Sequence, residues 1–199
     1  MIFIGIPCLN RFDLLARAIA SIDVPNELFL IDNSVNNRGW AASINAILRE
    51  GFGRGYDWVF CGVNDAFLGR GDLQRALDLL DTGTVGLWKL HHFNWWAISR
   101  ECVDRVGWFD ERFWPCYHAD NDYDRRCELA GVRVGQVPGC NVEHLENSTL
   151  RAGYTMADTE PYYIEKWGGP PGQERFTVPF TDPAARGKRR LTAATGRRR

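Results

Sequence analysis

The chain contains no apolar run as long as a membrane span, no C-x-x-C pair and no internal repeat. The first absence, together with Gly5 and Pro7 in the opening apolar stretch, leads us to expect neither a transmembrane segment nor a secretory signal. The second leaves six scattered cysteines, Cys8, Cys61, Cys102, Cys116, Cys127 and Cys140. They read as reduced thiols, mostly core filler, in a cytoplasmic protein. What is present suits one ordinary domain: 199 residues, 45% hydrophobic and 25% charged. Eight tryptophans are many for that length, and several stand beside polar residues, which hints at a flat ligand or a sugar face. The net charge of -1 hides an asymmetry, because residues 182–199 carry seven Lys/Arg against one Asp. We therefore expect a domain over residues 1–180 and a basic, flexible tail over 181–199. Such a tail either solubilises the chain or contacts an anionic partner such as nucleic acid, lipid or an acidic protein.

Hydrophobic periodicity alternates between strand and helix. Strands are expected at Met1–Ile6, Leu28–Ile31, Trp58–Cys61, Thr84–Leu87 and Asn94–Ser99, with shorter ones at Arg133–Val137 and Cys140–Val142. Helical spacing marks Arg11–Ile22 (with Asn10 as N-cap), Trp40–Leu48, Asp72–Leu80, Glu101–Val106 and Asp120–Ala130. Alternation at this spacing predicts an α/β fold with a mostly parallel central sheet flanked by helices. In such sheets a ligand lies beyond the carboxyl ends of the strands. Polar chemistry does gather there: Pro7-Cys8-Leu9-Asn10-Arg11, Asp32-Asn33-Ser34 and Asn64-Asp65.

The densest chemistry is Gly107–Arg126, where aromatic residues lead straight into Asp120, Asp122 and Asp124. Asp120 and Asp122 do not share a helix face, so they should have different tasks. Asp122 can brace the helix with Arg126 at i, i+4. Asp120, at the helix start, is either a base toward a hydroxyl or a solvated cap. Asp32 suits a turn as well as it suits an acceptor for a base or ribose. Asp65 with Asn64 suits Mg²⁺ or Mn²⁺ on a diphosphate, or a helix cap, and His144 could complete such a ligand set. His91 and His92 either line an acceptor site or cap a loop. Of the pair Trp95-Trp96, one is expected in the core and one ring could stack on a sugar.

Taken in order, Ile6-Pro7-x-x-Asn10-Arg11, Asp32-Asn33-Ser34, strand-end Asp65, Gly107-Trp108-Phe109-Asp110-Glu111 and Asp120-x-Asp122 with Arg126 resemble the family 2 glycosyltransferases, over roughly residues 2–150. Asn37-Arg38-Gly39-Trp40-Ala41 to Asn45 is similar to a segment of the rhamnosyltransferase-like members, and Val142-x-His144 followed by Ser148 is similar to the late metal-binding His. Tyr162-Tyr163 with Lys166-Trp167-Gly168-Gly169 resembles endings of such proteins. The resemblance implies a single GT-A domain and an inverting transfer from a nucleotide-diphosphate sugar to an acceptor hydroxyl. It implies Pro7, Asn10, Arg11, Asp32, Asn64 and Asp65 around the donor, Asp65 and His144 on Mn²⁺ or Mg²⁺, and Asp120 as base. The acceptor, whether glycan, protein or modified nucleobase, would meet His92, Trp95, Trp96 and Trp114.

Two departures stand out. Val63 occupies the first D-x-D position, which puts metal dependence in question, and Ala119 replaces the Glu that usually precedes the base. The competing expectations are a nucleotide-sugar or glycan-binding protein on a degenerate scaffold, and a nucleotidyltransferase. The latter would want a Gly- and Lys/Arg-rich phosphate loop, which Cys8–Phe12 is not.

Overall fold

The computed structural model describes residues 1–80, 86–145 and 158–181. The basic tail from 182 onward, Ser148 and the beginning of the strand expected at Thr84 lie outside them. The chain divides into two compact units, Met1–Ala157 and Asp158–Arg199.

In the first unit the chain runs β1 (Ile2–Cys8), α1 (Phe12–Ala20), β2 (Asn26–Asp32), α2 (Trp40–Gly53), β3 (Trp58–Gly62), β4 (Ala66–Phe67), α3 (Asp72–Leu80), β5 (Leu87–His91), β6 (Trp95–Ser99), α4 (Arg100–Val106), α5 (Ala119–Leu129), β7 (Val134–Gln136) and β8 (Glu143–His144). Among the described residues the main sheet has the order β2-β1-β3-β6-β5-β7. β1 is parallel to β2 and β3, and β5 is parallel to β7; β6 alone runs antiparallel to its neighbours. The fold is thus α/β with a mostly parallel sheet, as the alternation predicts.

Pro7 stands in a central strand without disrupting it, because β1 pairs with β3 only over Phe3–Gly5. Gly5 is required where α2 crosses β1, since a Cβ there would lie 2.1 Å from the Ile47 side chain. One face of the sheet buries Ile4, Ile6, Phe60, Trp95 and Ala97 together with Leu73 and Ala76 of α3. The other buries an aromatic group in which Phe109 stacks on Tyr123 at 4.0 Å and meets Trp40, Phe93 and Trp96.

Both Trp95 and Trp96 are completely buried, which corrects the expectation that one ring is open to a sugar. Successive strand residues point to opposite faces, and here both faces are covered. Trp95 is further held by its indole N–H donating to the Ala66 carbonyl at 2.9 Å, with its ring against Gly62.

Asn45, buried in α2, fixes the segment before α5. Its Oδ1 accepts from the Phe109 N–H (2.9 Å), while its Nδ2 donates to the Phe109 carbonyl (2.9 Å) and to Glu111 (2.8 Å). At the other end of that segment, Trp40 N–H donates to the Pro115 carbonyl at 2.7 Å and the Trp114 indole to the Asn37 carbonyl at 3.3 Å. Gly39, at φ 85°, leaves the space that Trp114 occupies. The expected brace on α5 is present: the fully buried Asp122 accepts from Arg126 Nε at 2.9 Å, and Arg126 Nη1 donates to the Val106 carbonyl at the end of α4.

Several boundaries differ from expectation, among them the end of α2, which runs five residues past Leu48 to Gly53. Asn10 does not cap α1: it sits at φ 58° with its N–H on Ser34 Oγ, and Arg11 holds the cap position. The strand expected to end at Leu87 begins there, and the one expected at Cys140–Val142 gives way to β8 immediately after that span, at Glu143–His144. In the second unit, α6 (Glu160–Trp167) ends at Gly168, whose positive φ of 78° and close Phe176 ring exclude a side chain. The Trp167 carbonyl accepts from the N–H groups of Arg175 and Phe176.

Replacing Asn45 by Leu orphans a buried N–H and C=O at Phe109, and should lower unfolding free energy by about 1–3 kcal/mol in urea titration. Asp122→Ala leaves the Arg126 charge inside without its carboxylate and should cost about 3–5 kcal/mol by the same measurement.

Candidate active site

The carboxyl edge of the parallel strands collects the polar residues that the sequence singles out. At the end of β2, Asp32 is exposed and its Oδ1 accepts from the Ser34 N–H at 2.8 Å. Hydrogen bonds from the Ser34 hydroxyl and backbone hold its carboxyl below the usual range. The turn and the ionised acceptor are therefore one structure. Asn33 is buried beneath it and donates to Ser43 Oγ at 2.9 Å. Beyond β1, Arg11 forms a two-pronged pair with Asp13 (3.0 and 2.8 Å) that lowers the Asp13 carboxyl to about 2. The Arg11 guanidinium is stabilised first by Asp13 and, more weakly, by the charge of Asp65.

Asp65 and His144 are far apart in sequence but adjacent in space. β4 and β8 pair antiparallel with Ala66 opposite His144, and the Leu145 N–H donates to the Asp65 carbonyl at 2.9 Å. This places His144 Nε2 3.5 Å from Asp65 Oδ1. The other ring nitrogen, Nδ1, lies 3.3 Å from Asn94 Nδ2, which also lies 3.0 Å from His91 Nδ1. Asn94 carried no marked signal in the sequence. It belongs to the turn between β5 and β6, and only the fold brings it to His144.

No group of three His, Cys, Asp or Glu side chains suited to a metal forms among the described residues. Val63 accounts for one expected ligand, and the protein offers two, Asp65 and His144. A hard divalent cation that keeps water and shares substrate phosphates is held by one or two protein groups. The pair thus fits Mg²⁺ or Mn²⁺ on a diphosphate, and does not fit a closed protein cage.

Asp120 is the second residue of α5, half-buried, and follows a short segment that also lies within electrostatic reach of Asp65. That segment, Cys116–His118, feels both charges. Burial and then the Asp120 charge push the Cys116 thiol to about 11. The Tyr117 hydroxyl is raised by burial, with Cys116 and Asp65 adding to it. One turn beyond Asp120, Asp124 accepts from Lys89 Nζ at both oxygens (2.7 and 2.6 Å). Burial raises its carboxyl and Lys89 opposes the rise.

Among the described non-glycine residues, positive φ occurs at Asn10, His92, Tyr117, His118 and Phe180. Four of these five stand at the strand ends or beside Asp120. Such conformations cost about 1–3 kcal/mol each and persist where surrounding structure holds them. Of the residues expected on the acceptor side, His92 is exposed and Trp114 is half exposed, whereas Trp95 and Trp96 are closed off. Tyr117, half exposed and the last aromatic of the run that leads into Asp120, joins the open set.

With the geometry established, comparison with known proteins defines the fold class. No protein-family model and no curated protein matches the sequence. Solved structures do match: a mannosyltransferase from Pyrobaculum calidifontis, in complex with GDP-Man and Mn²⁺, superposes with a TM-score of 0.61 at 18% identity, covering 76% of this chain and 59% of that one. The catalytic domain of Drosophila β1,4-galactosyltransferase 7, with xylobiose, gives 0.59 at 16% identity, covering 78% and 73%. TarS residues 1–349 of S. aureus, with UDP, give 0.57 at 11% identity, covering 82% and 62%. The fold is that of the GT-A glycosyltransferases, and the chain spans less than two thirds of the mannosyltransferase and TarS chains.

The proximity of Asp120 to Cys116 has a measurable consequence. Alkylation of Cys116 by iodoacetamide near pH 8.5 should be slower than that of free cysteine, and Asp120→Asn should accelerate it. Peptide mass spectrometry of a time course checks both rates.

Proposed function

We propose that this protein is a glycosyltransferase that moves a sugar from a nucleotide-diphosphate donor to an acceptor hydroxyl with inversion, Asp120 serving as general base. The reading rests on one observation above the others. β4–β8 pairing sets Asp65 against His144, Arg11 feels the Asp65 charge, and the Cys116–Tyr117 segment feels both Asp65 and Asp120, in a fold shared with nucleotide-sugar enzymes.

In this reading Asp32 accepts from the base or ribose, and its carboxylate is already ionised and aimed by Ser34. Pro7, Asn10 and Arg11 shape the wall beside the donor, with the Arg11 guanidinium drawn toward negative charge. Asn64 borders the diphosphate, and Asp65 and His144 would hold Mn²⁺ or Mg²⁺. A bound divalent cation supplies charge stabilisation to the departing diphosphate. Asp120 takes the proton from the acceptor hydroxyl as its oxygen attacks the anomeric carbon opposite the diphosphate. A base positioned in this way contributes about 10²–10⁴ in rate. Trp114, Tyr117 and His92 present open surface for an acceptor, and a half-exposed indole matches the apolar face of a sugar. The domain is read as extending to residue 180, with the basic tail available to an anionic partner. No helix among the described residues is long and apolar enough to cross a membrane.

A second reading, a nucleotide-sugar-binding protein without turnover, is favoured by the two-ligand metal site that Val63 leaves. The retained Asp120 favours the enzyme.

A panel of nucleotide sugars with and without Mn²⁺, followed by thermal shift and then nucleotide release, separates the two. We expect one nucleotide class to stabilise the protein and slow donor hydrolysis to follow. Asp120→Asn should keep that stabilisation and lose about 10²-fold or more in turnover. Binding without any release would support the second reading, and an absence of nucleotide binding would end both.

A further inference from the structure

Asn94 lies between two imidazoles. Its side-chain nitrogen is 3.0 Å from His91 Nδ1 and 3.3 Å from His144 Nδ1, and the two rings are 6.0 Å apart. Its backbone is held on both sides, with its N–H donating to the His91 carbonyl (3.0 Å) and its carbonyl accepting from the Val63 N–H (2.9 Å). The amide is therefore delivered to the histidines by a fixed turn.

A primary amide carries two donors at one end and an acceptor at the other. With nitrogen toward the rings, it donates to the Nδ1 lone pairs, and each neutral imidazole then carries its proton on Nε2. Turned by half a revolution, its oxygen accepts from Nδ1–H and leaves Nε2 with a lone pair. For His144 the difference falls on the atom 3.5 Å from Asp65 Oδ1. In the first orientation an Nε2–H faces the carboxylate and holds the pair together. In the second the same nitrogen is a donor atom for a cation.

We propose that Asn94 is a positioning residue that selects the tautomer of His144, switching it between a partner of Asp65 and a metal ligand. Passing from one state to the other rotates one amide and relocates one proton in each ring, His91 and His144, from Nε2 to Nδ1 through water. No proton is gained or lost overall, and the Asp65 charge is unchanged. The switch gives a site that lacks the first D-x-D acid a way to keep its two remaining ligands aligned before a cation arrives. The proposal rests on the metal reading above.

The test uses the full chain labelled with ¹⁵N at histidine, at about pH 8.5, where ordinary imidazoles are neutral. The probes are Mg²⁺ with UDP and Mg²⁺ with GDP. In the wild type, long-range ¹H–¹⁵N spectra should show His144 as the Nε2–H tautomer, changing to Nδ1–H when cation and a binding nucleotide are present. Asn94→Asp only accepts, so His144 should be Nδ1–H without any ion. Asn94→Leu selects neither form, and Mn²⁺ affinity in the presence of that nucleotide should fall about tenfold or more. If Asn94→Leu fails to fold, the near-isosteric Asn94→Asp alone decides. An unchanged His144 tautomer in Asn94→Asp overturns the proposal. If that variant shifts the tautomer while neither nucleotide with Mg²⁺ moves any histidine resonance, control by Asn94 stands and the metal reading falls.

Discussion

The hydrogen-bonded grip of Asn45 on Phe109 is the constraint from which the site takes its shape. A buried strand-like segment must pair its backbone, and at Phe109 no strand is at hand. The Asn45 amide supplies both partners from the side of a helix, and its remaining N–H reaches Glu111. Phe109 is thereby pressed into the ring cluster of Trp40, Phe93, Trp96 and Tyr123, the last of which belongs to α5. The loop that follows leans on the Asn37–Trp40 turn and delivers α5 with Asp120 at its start. Two stretches that look like separate motifs in the sequence are thus halves of one joint.

This dependence explains which parts of the structure could be read in advance. Helices α1 to α5 and strands β1 to β3 were legible because each carries its own periodicity over several residues. The Asp122–Arg126 brace was legible for the same reason, being a contact within one helix. The Trp95-Trp96 pair misled because its polar surroundings suggested a surface, whereas strand geometry sends adjacent residues to opposite faces that are both covered here. β4 and β8 are two residues long and have no period to detect. Ligand chemistry and the resemblance both suggested Asp65 and His144 as a pair, but the strand pairing that makes them neighbours had no local signal, and neither had the position of Asn94.

The charges around the site are arranged to keep carboxylates apart as much as to supply them. Asp13 is matched by Arg11, Asp124 by Lys89 and Asp122 by Arg126. Asp124 lies one turn from Asp120 on the same helical face, where two uncompensated carboxylates would repel. Lys89, nearly buried and lying 4.2 Å over the Phe93 ring, neutralises Asp124 at both oxygens and limits that repulsion. Helix α5 thus accommodates a second acid one turn beyond Asp120, because β5 brings a cation to it.

The same economy bears on Val63. A third carboxylate or imidazole beside Asp65 would complete a site able to hold a cation without substrate; in the function proposed above, its absence would make phosphate oxygens part of the ligand count. Affinity for metal and affinity for nucleotide would then be two views of a single coupling, since by linkage each ligand would raise the binding of the other by the same factor. A two-ligand site of this kind needs alignment more than it needs charge. In the proposed site that alignment would come from backbone pairing between β4 and β8 and from the amide of Asn94, rather than from a dense cluster of acids.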